Sequence, residues 1–555
     1  MQLGGFVTDR LIFLGTMNIG RFDKMKLRHG LMAAAAAATL AVSPLAQAET
    51  FKFAFQGNLS SLDPHSLNET FLLSSLNNVY EGLVLYDENL TIVPGLAESW
   101  ETIEPTKWKF NLRKGVKYHD GSDFTAEDVV FSWQRALGEG SDQIARASKI
   151  KNIEVVDDHT IIIETPAPNP ILTSDLVNIY IMDKGWSEKN NATKATSASD
   201  ANSANYANLH SNGTGPFMVT EHKPDVKTIY KRFDGYWGSM KSNVTTVEFT
   251  PIKEAATRVA ALISGELDLV YPVPVQDWKR LEEAKGVKPL AGPEARTIFL
   301  GMDQGRDELL HSNVKGKNPF KDIKVRQAFA HAINLEAIKK KVMRGAATPS
   351  GLMVAPQING WQKELNTPYA YDPAKSKELL AAAGYPDGFE VTMDCPNNRY
   401  VNDEKICQAV VSMLAKVGVK IDLLAQPKSK YFGKVLATGG YDTSFYLLGW
   451  TPGTMDTENV LSSLLMCQNK EEKKGMFNLG NYCNPKVDEL AAKVGSETDQ
   501  TKRNAMIAEA FKLVQDEVGY LPLHQQPLSW GASDRVTVNQ RADNQLDFRY
   551  VVVNK

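Results

Sequence analysis

An α/β fold with unequal lobes is predicted by three features of this 555-residue sequence. Apolar strands at Phe389 to Met393, Val419 to Leu424 and Ser444 to Leu448 alternate with helical segments, the βαβ rhythm of an α/β lobe. The first half instead carries short strands of alternating polarity. The chain beyond its leader, about 500 residues, exceeds one ordinary hydrophobic core, so two or three lobes are expected.

The leader comes first. Lys24, Lys26, Arg28 and His29 form a basic n-region, Gly30 to Val42 a short apolar run, and Ala46-Gln47-Ala48 a small-x-small cleavage site. A secretory signal over residues 1–48, cut before Glu49, is the expectation, because the apolar run is too short to span a bilayer. No cysteine lies near the cut, which argues for a free periplasmic protein rather than a lipoprotein. Met17 or Met25 is an alternative start.

Phe51, Phe53 and Phe55 then alternate with polar or small residues as in a half-buried strand, and Ser61-Leu62-Asp63-Pro64 turns the chain. Trp108, Phe110 and Leu112 repeat the alternation. Thr125, with Asp128 three residues on, starts a helix through a capping-box variant. Val155-Val156 and Thr160 to Ile163 flank a turn and read as a hairpin. Ser187 to Asn212, rich in Ser, Ala and Asn, reads as a surface excursion. Glu254 to Ser264 is expected helical with Ala256, Val259, Ala260 and Ile263 on one face. Asp322 to Met343 is expected as one long helix carried by Val325, Phe329, Ile333 and Ile338. Tyr371 to Gly384 and Glu404 to Gly418 are further helices ended by glycine.

Composition narrows the function. Hydrophobic residues make up 43% and charged residues 23%, as in a soluble globular protein. Without the leader's five basic and two acidic residues, 57 basic face 63 acidic ones, a formal charge of −6. A mildly acidic chain without basic clusters suits neither nucleic acid nor an anionic membrane. The four cysteines, Cys395, Cys407, Cys467 and Cys483, favour disulfides in an oxidising compartment. The local pairs Cys395–Cys407 and Cys467–Cys483 are the simplest of three connectivities, and the spacings lack the CxxC of a zinc site. No GxxxxGK[ST], HExxH or GxSxG occurs, and His119 and His331 read as structural or solvated. Catalysis has no positive feature here, and neither a cofactor nor a metal is expected.

Several segments, in order, resemble those of the extracytoplasmic solute-binding proteins that include the dipeptide- and oligopeptide-binding proteins of ABC importers. Pro94 to Trp100 resembles "PxLAxSW". Phe110 to Gly121, running on to Phe124 to Val129, is similar to "FxLRxGVxFHDGxxFTAxDV". Gly213 to Phe217, Asp234 to Gly238, Ser264 to Asp268, Val325 to Ala328 and Gly449-Trp450 complete the series. The resemblance implies a two-lobed periplasmic binding protein fold of type II, cluster C. Lobe I would span 49–290 with an extra domain inserted at about 80–210, lobe II 291–526, and 527–555 would return to lobe I. It implies a monomer that captures a small peptide or peptide-like ligand between the lobes and delivers it to inner-membrane permease subunits. A non-peptide cargo is the alternative within the family (opine-like conjugate, sugar, metal chelate or heme), and a secreted hydrolase or periplasmic chaperone the alternative outside it.

The same resemblance nominates binding residues. Arg399 aligns with an arginine that binds the ligand carboxylate, a task suited to a planar guanidinium. Gly453 stands where relatives carry the aspartate that pairs with a peptide ammonium. Asp456 and Glu69, the latter within Asn68-Glu69-Thr70, are candidates to replace it. Trp450 is a candidate for apolar contact with the ligand, whereas Trp100 and Trp237 are assigned to packing.

Overall fold

The computed structural model describes residues 49–197, 205–472 and 474–554, so the expected leader lies outside the described residues. Among these, two mixed sheets organise two lobes. In lobe I the strand order is Val287–Leu290, Trp530–Ser533, Leu269–Tyr271, Glu49–Phe55, Val244–Pro251, Lys227–Arg232 and Phe217–Lys223. Glu49–Phe55 pairs in parallel with both its neighbours. Both of its faces are covered, as such strands require. Phe51 and Phe53 pack edge-on against Phe548, while Ala54 joins Val259 and Leu262.

The lobe II sheet runs Thr348–Pro349, Leu521–Pro527, Pro293–Met302, Phe445–Trp450, Glu390–Pro396 and Lys420–Gln426. Glu390–Pro396 is parallel to both its partners, the pairing expected of the βαβ rhythm. Val391, Met393 and Cys395 pack with Ile406, Cys407, Val410 and Leu414 of the helix Asp403–Ala415. Disulfides join Cys395 to Cys407 and Cys467 to Cys483, the local pairing. The chain passes from one sheet to the other between Leu290 and Pro293 and returns between Pro527 and Trp530. These passages run side by side: the Leu528 N–H donates to the Gly292 carbonyl at 2.7 Å.

A separate antiparallel sheet, ordered Ala97–Glu104, Lys107–Leu112, Thr160–Glu164 and Asn152–Asp157, forms beside lobe I. The segments entering and leaving it touch. Gly215 N–H donates to Val79 O at 2.9 Å, and a Cβ on Gly213 would stand 1.9 Å from that same oxygen, so only glycine allows the approach. Buried Glu81 sits at this junction. Its carboxylate accepts from Thr214 Oγ1 (2.9 Å), Tyr236 OH (3.0 Å) and Trp237 Nε1 (2.8 Å). Arg113 lies 4.1 Å over the Trp237 ring, and His119 Nε2 meets Gly215 O at 2.9 Å. The segments that carry the resemblance therefore converge here, and Trp237 packs at the junction as expected.

Three expectations need correction. The helix foreseen over Asp322 to Met343 is broken: Ile323–Ala332 ends, and Leu335–Ala337 restarts under an Asn334 cap whose side chain accepts from Ala337 N–H at 2.8 Å. An asparagine that captures a backbone donor competes with helix continuation. In Ala255–Ile263 the buried face is Arg258, Val259, Ala261 and Leu262, while Ala256 and Ala260 are exposed. Arg258 turns the helix by donating to the carbonyls of Ile252, Lys253 and Pro272 at 2.6–2.8 Å. The Ser187 to Asn212 stretch is not wholly superficial. Ser187, Ala192, Ala207 and Asn212 are buried, and Arg135, paired with Asp63, donates to Ala192 O at 2.9 Å. Residues 198–204 of it lie outside the described residues.

His524 is buried in strand Leu521–Pro527, with no hydrogen-bond partner for either ring nitrogen among the described residues. Burial lowers its pKa to about 4. The unfolded histidine titrates near 6.5, so below that pH the unfolded chain holds the extra proton. The stability of a neutral His524 is full above the unfolded value and drains as pH falls toward the folded one. His524→Leu is thus expected to gain on wild type as pH falls, by about 2 kcal/mol at pH 5. Thermal unfolding of both proteins from pH 7.5 to 5 checks this; a pH-independent difference refutes it.

Candidate functional site

Arg399 is positioned by its neighbours in sequence. Strand Glu390–Pro396 ends, and the loop through Asn397, Asn398, Arg399 and Tyr400 leads to helix Asp403–Ala415. The Asp403 carboxylate gathers this loop, accepting the N–H groups of Arg399 (2.8 Å), Tyr400 (2.9 Å) and Glu404 (3.0 Å). The Cys395–Cys407 bridge ties the strand end to the same helix. With its backbone fixed, the Arg399 side chain extends to solvent, 5.1 Å from the Tyr400 ring. Among the described residues it makes no hydrogen bond and has no carboxylate within 4.0 Å. Surrounding protein nevertheless lowers its pKa by desolvation, helped by Arg296 and opposed by Tyr400, Glu294 and Glu69.

Arg296 is already committed. Its Nε donates to Glu294 at 3.0 Å, and both side chains are buried. Glu69 comes from lobe I. It caps helix Thr70–Leu76 by accepting Leu72 N–H at 3.0 Å, stays exposed, and has no cation within 4.0 Å among the described residues. It is one of the charges that oppose the lowering of the Arg399 pKa. Thr70 opens the helix and is half-buried. Exposed Asn68 uses its carbonyl oxygen on Arg146 Nη1 at 2.9 Å.

The lobe II loop after strand Phe445–Trp450 differs from expectation. Trp450 is half-buried, with its indole N–H on Asn459 Oδ1 at 2.9 Å and its ring 4.8 Å from Phe477. Asp456 does not offer a free acid. It is buried, and its two oxygens accept from Arg503 at 2.6 and 2.8 Å, with Asn359 donating at 2.7 Å. A carboxylate so committed cannot also face an ammonium, which corrects its nomination. Gly453 faces lobe I: a Cβ there would stand 2.9 Å from Arg146 Nη2. Other contacts bring the loop to the inserted domain. Tyr86 OH donates to Thr454 O at 3.3 Å, and Lys149 lies 3.6 Å from Glu458.

The model of the bacterial extracellular solute-binding proteins, family 5, matches residues 91–472. The chain belongs to that family. Among relatives of this family 5 protein, the glutathione-binding protein GsiB of Shigella flexneri serotype 5b (strain 8401) is 28% identical over 517 residues, 92% of this chain and 95% of the relative. The periplasmic binding protein DppA of Helicobacter pylori, solved in complex with peptide STSA, has a TM-score of 0.74 at 25% identity, over 92% of this chain and 98% of that one. AgaA from A. tumefaciens R10, solved with agropinic acid, has a TM-score of 0.73 at 24% identity over 91% of this chain and 99% of that one; it shows the fold alone. The family 5 protein described here is thus the solute-binding component of an ABC importer, and its family is one of binding proteins rather than enzymes.

Sequence reasoning gave no notice of Arg146, beside Asn68 and Gly453, or of the buried pair Arg296 and Glu294. Arg146 lies in an unremarkable Ile144-Ala145-Arg146-Ala147 turn, and Glu294-Ala295-Arg296 opens a strand. Only the meeting of the lobes gives them a setting. Among the described residues no helix is long and apolar enough to cross a membrane.

Proposed function

We propose that this protein is exported through the leader at residues 1–48 and works as a periplasmic monomer that captures a short peptide between its lobes. The observation that carries this reading is the Arg399 guanidinium, whose backbone is anchored by Asp403 while its side chain has no hydrogen bond and no carboxylate within 4.0 Å among the described residues. Opposite charges on two separated walls complement a zwitterion, and contacts that exist only when both walls touch it favour the closed form. Arg399 takes the carboxylate by a bidentate fork, and Glu69 takes the ammonium in place of the acid absent at Gly453. The side-by-side passages near Gly292 and Leu528 serve as the hinge, since a few residues at strand ends absorb the rotation. A relative named for glutathione binding and a structural neighbour solved with a peptide support a peptide cargo.

Native mass spectrometry of the freshly purified protein tests this. A one-to-one complex is expected, releasing a peptide-sized zwitterion on activation, with thermal stabilisation that grows with added cargo. A cargo without a carboxylate overturns the role of Arg399, and turnover of the cargo overturns the assignment as a pure binder.

A further inference from the structure

The lobe II stretch from Thr454 to Glu458 meets the inserted domain through contacts that run from protein to protein. Met455 packs against two hydrophobic cores at once, that of lobe II around Val460, Leu461 and Leu464 and that of the inserted domain around Leu172 and Leu176. Its backbone is held at φ 53°, a region that residues with a Cβ seldom enter, and its carbonyl accepts from Asn359 N–H at 3.0 Å. Beside it, Tyr86 OH donates to Thr454 O at 3.3 Å. The Lys149 ammonium lies between Asp175 of its own domain, at 3.5 Å, and Glu458 of lobe II, at 3.6 Å. Both acids are anchored. Asp175 is 2% exposed, and its other oxygen accepts from Asn169 Nδ2 at 3.2 Å. Glu458 N–H donates to Asp456 Oδ1 at 2.8 Å, and Asp456 is itself clamped by Arg503. Burial works against the Lys149 ammonium, yet Asp175 and Glu458 outweigh it and hold its pKa above the ordinary lysine value.

We propose that Met455 and the Lys149–Glu458 pair form a latch between lobe II and the inserted domain, which sets how readily the lobes close whatever cargo lies between them. This rests on the closure proposed above and adds what holds the closed form besides the cargo. Opening the lobes carries Glu458 away from Lys149 and draws Met455 out of the inserted-domain core into water. Asp175 stays with Lys149 throughout, because both belong to the inserted domain. The lysine is therefore already aimed in the open form, and closure brings up a second carboxylate without having to order a free side chain. None of the latch residues is Arg399, Glu69 or Trp450. Part of the closing free energy thus comes from the protein itself and is the same for every cargo. Its ionic part weakens with salt and its apolar part does not.

Electron–electron distance measurement between nitroxides at Glu154→Cys on the inserted domain and Lys502→Cys on lobe II tests the latch. Both positions are exposed, and the four native cysteines are bridged, so only the new thiols react. The protein is unfolded in guanidinium to strip its cargo, refolded, and measured at about 20 mM and about 500 mM NaCl, on either side of strong screening. A short and a long distance are expected in wild type at low salt. Glu458→Gln and Lys149→Met are each expected to cut the short-to-long ratio about threefold, the scale of a partly exposed ion pair. The double variant is expected to lose no more than either alone, since both remove one interaction. High salt lowers the wild-type ratio and leaves those of the charge variants unchanged, whereas Met455→Ala lowers the ratio at both salts and keeps the salt response. A wild-type ratio in both charge variants, or losses that add in the double variant, overturns the latch and leaves closure in place. A single distance in every sample overturns the latch as well. If that distance also stays fixed when the heat extract of the purified protein is returned as the source of cargo, the closure reading falls with it.

Discussion

Arg399→Ala is expected to weaken binding of a carboxylate-bearing cargo by about 100-fold or more, within the 2–5 kcal/mol that follows loss of one partner of an enclosed charge pair. Much of that loss is the cost of closing the lobes on a carboxylate left without donors. Arg399→Lys is expected to recover part of the affinity, since an ammonium keeps the charge but loses the two-pronged geometry. Neither change should alter the melting temperature of the unliganded protein by much, because the guanidinium makes no hydrogen bond among the described residues. Only its backbone N–H is tied to Asp403. Titration of the cargo identified by mass spectrometry, together with unfolding curves, separates these effects. Unchanged affinity for such a cargo removes Arg399 from the site.

Asp456→Ala is expected to destabilise the protein by about 3–5 kcal/mol, the penalty for stranding a buried charge. The stranded group is Arg503, 1% exposed in its side chain and held otherwise by Val494 O at 3.0 Å. The double replacement Asp456→Leu with Arg503→Met is expected to regain much of the loss, since an apolar pair of similar volume removes both desolvation costs. Urea unfolding of the single and double variants provides the numbers. The opposite pattern, normal stability with lost cargo affinity, would return Asp456 to the list of ligand contacts.

Asp456 also marks where sequence reading reaches its limit. Its place shortly after Gly449-Trp450 was visible in the chain, but its partner Arg503 lies 47 positions away on the helix Gln500–Asp516. Nothing local distinguishes an acid facing a ligand from one facing a buried arginine. Local grammar was otherwise a good guide. The alternation of Phe51 and Phe53, the hairpin Asn152–Asp157 with Thr160–Glu164, and the parallel strands of lobe II all follow from periodicity and turns. The breaks came where one polar side chain outbid the pattern, as Asn334 did by capping a new turn and Arg258 by reaching three carbonyls. For Arg399 the sequence supplied the loop and the resemblance its alignment. That its side chain is left without a carboxylate partner among the described residues depends on tertiary structure alone.

Glu81 fastens together the two connections of the inserted domain. Its carboxylate lies where the chain leaves the lobe I sheet for the inserted domain, and it holds Thr214, Tyr236 and Trp237 where the chain comes back. Two connections fastened at one buried point are expected to carry the inserted domain along with the lobe I sheet. If the lobes close as proposed, a single angle between the two lobe sheets is then expected to describe the movement. Distance labels check this: the span from the inserted domain to lobe II is expected to shorten on capture, while that from the inserted domain to the lobe I sheet stays constant.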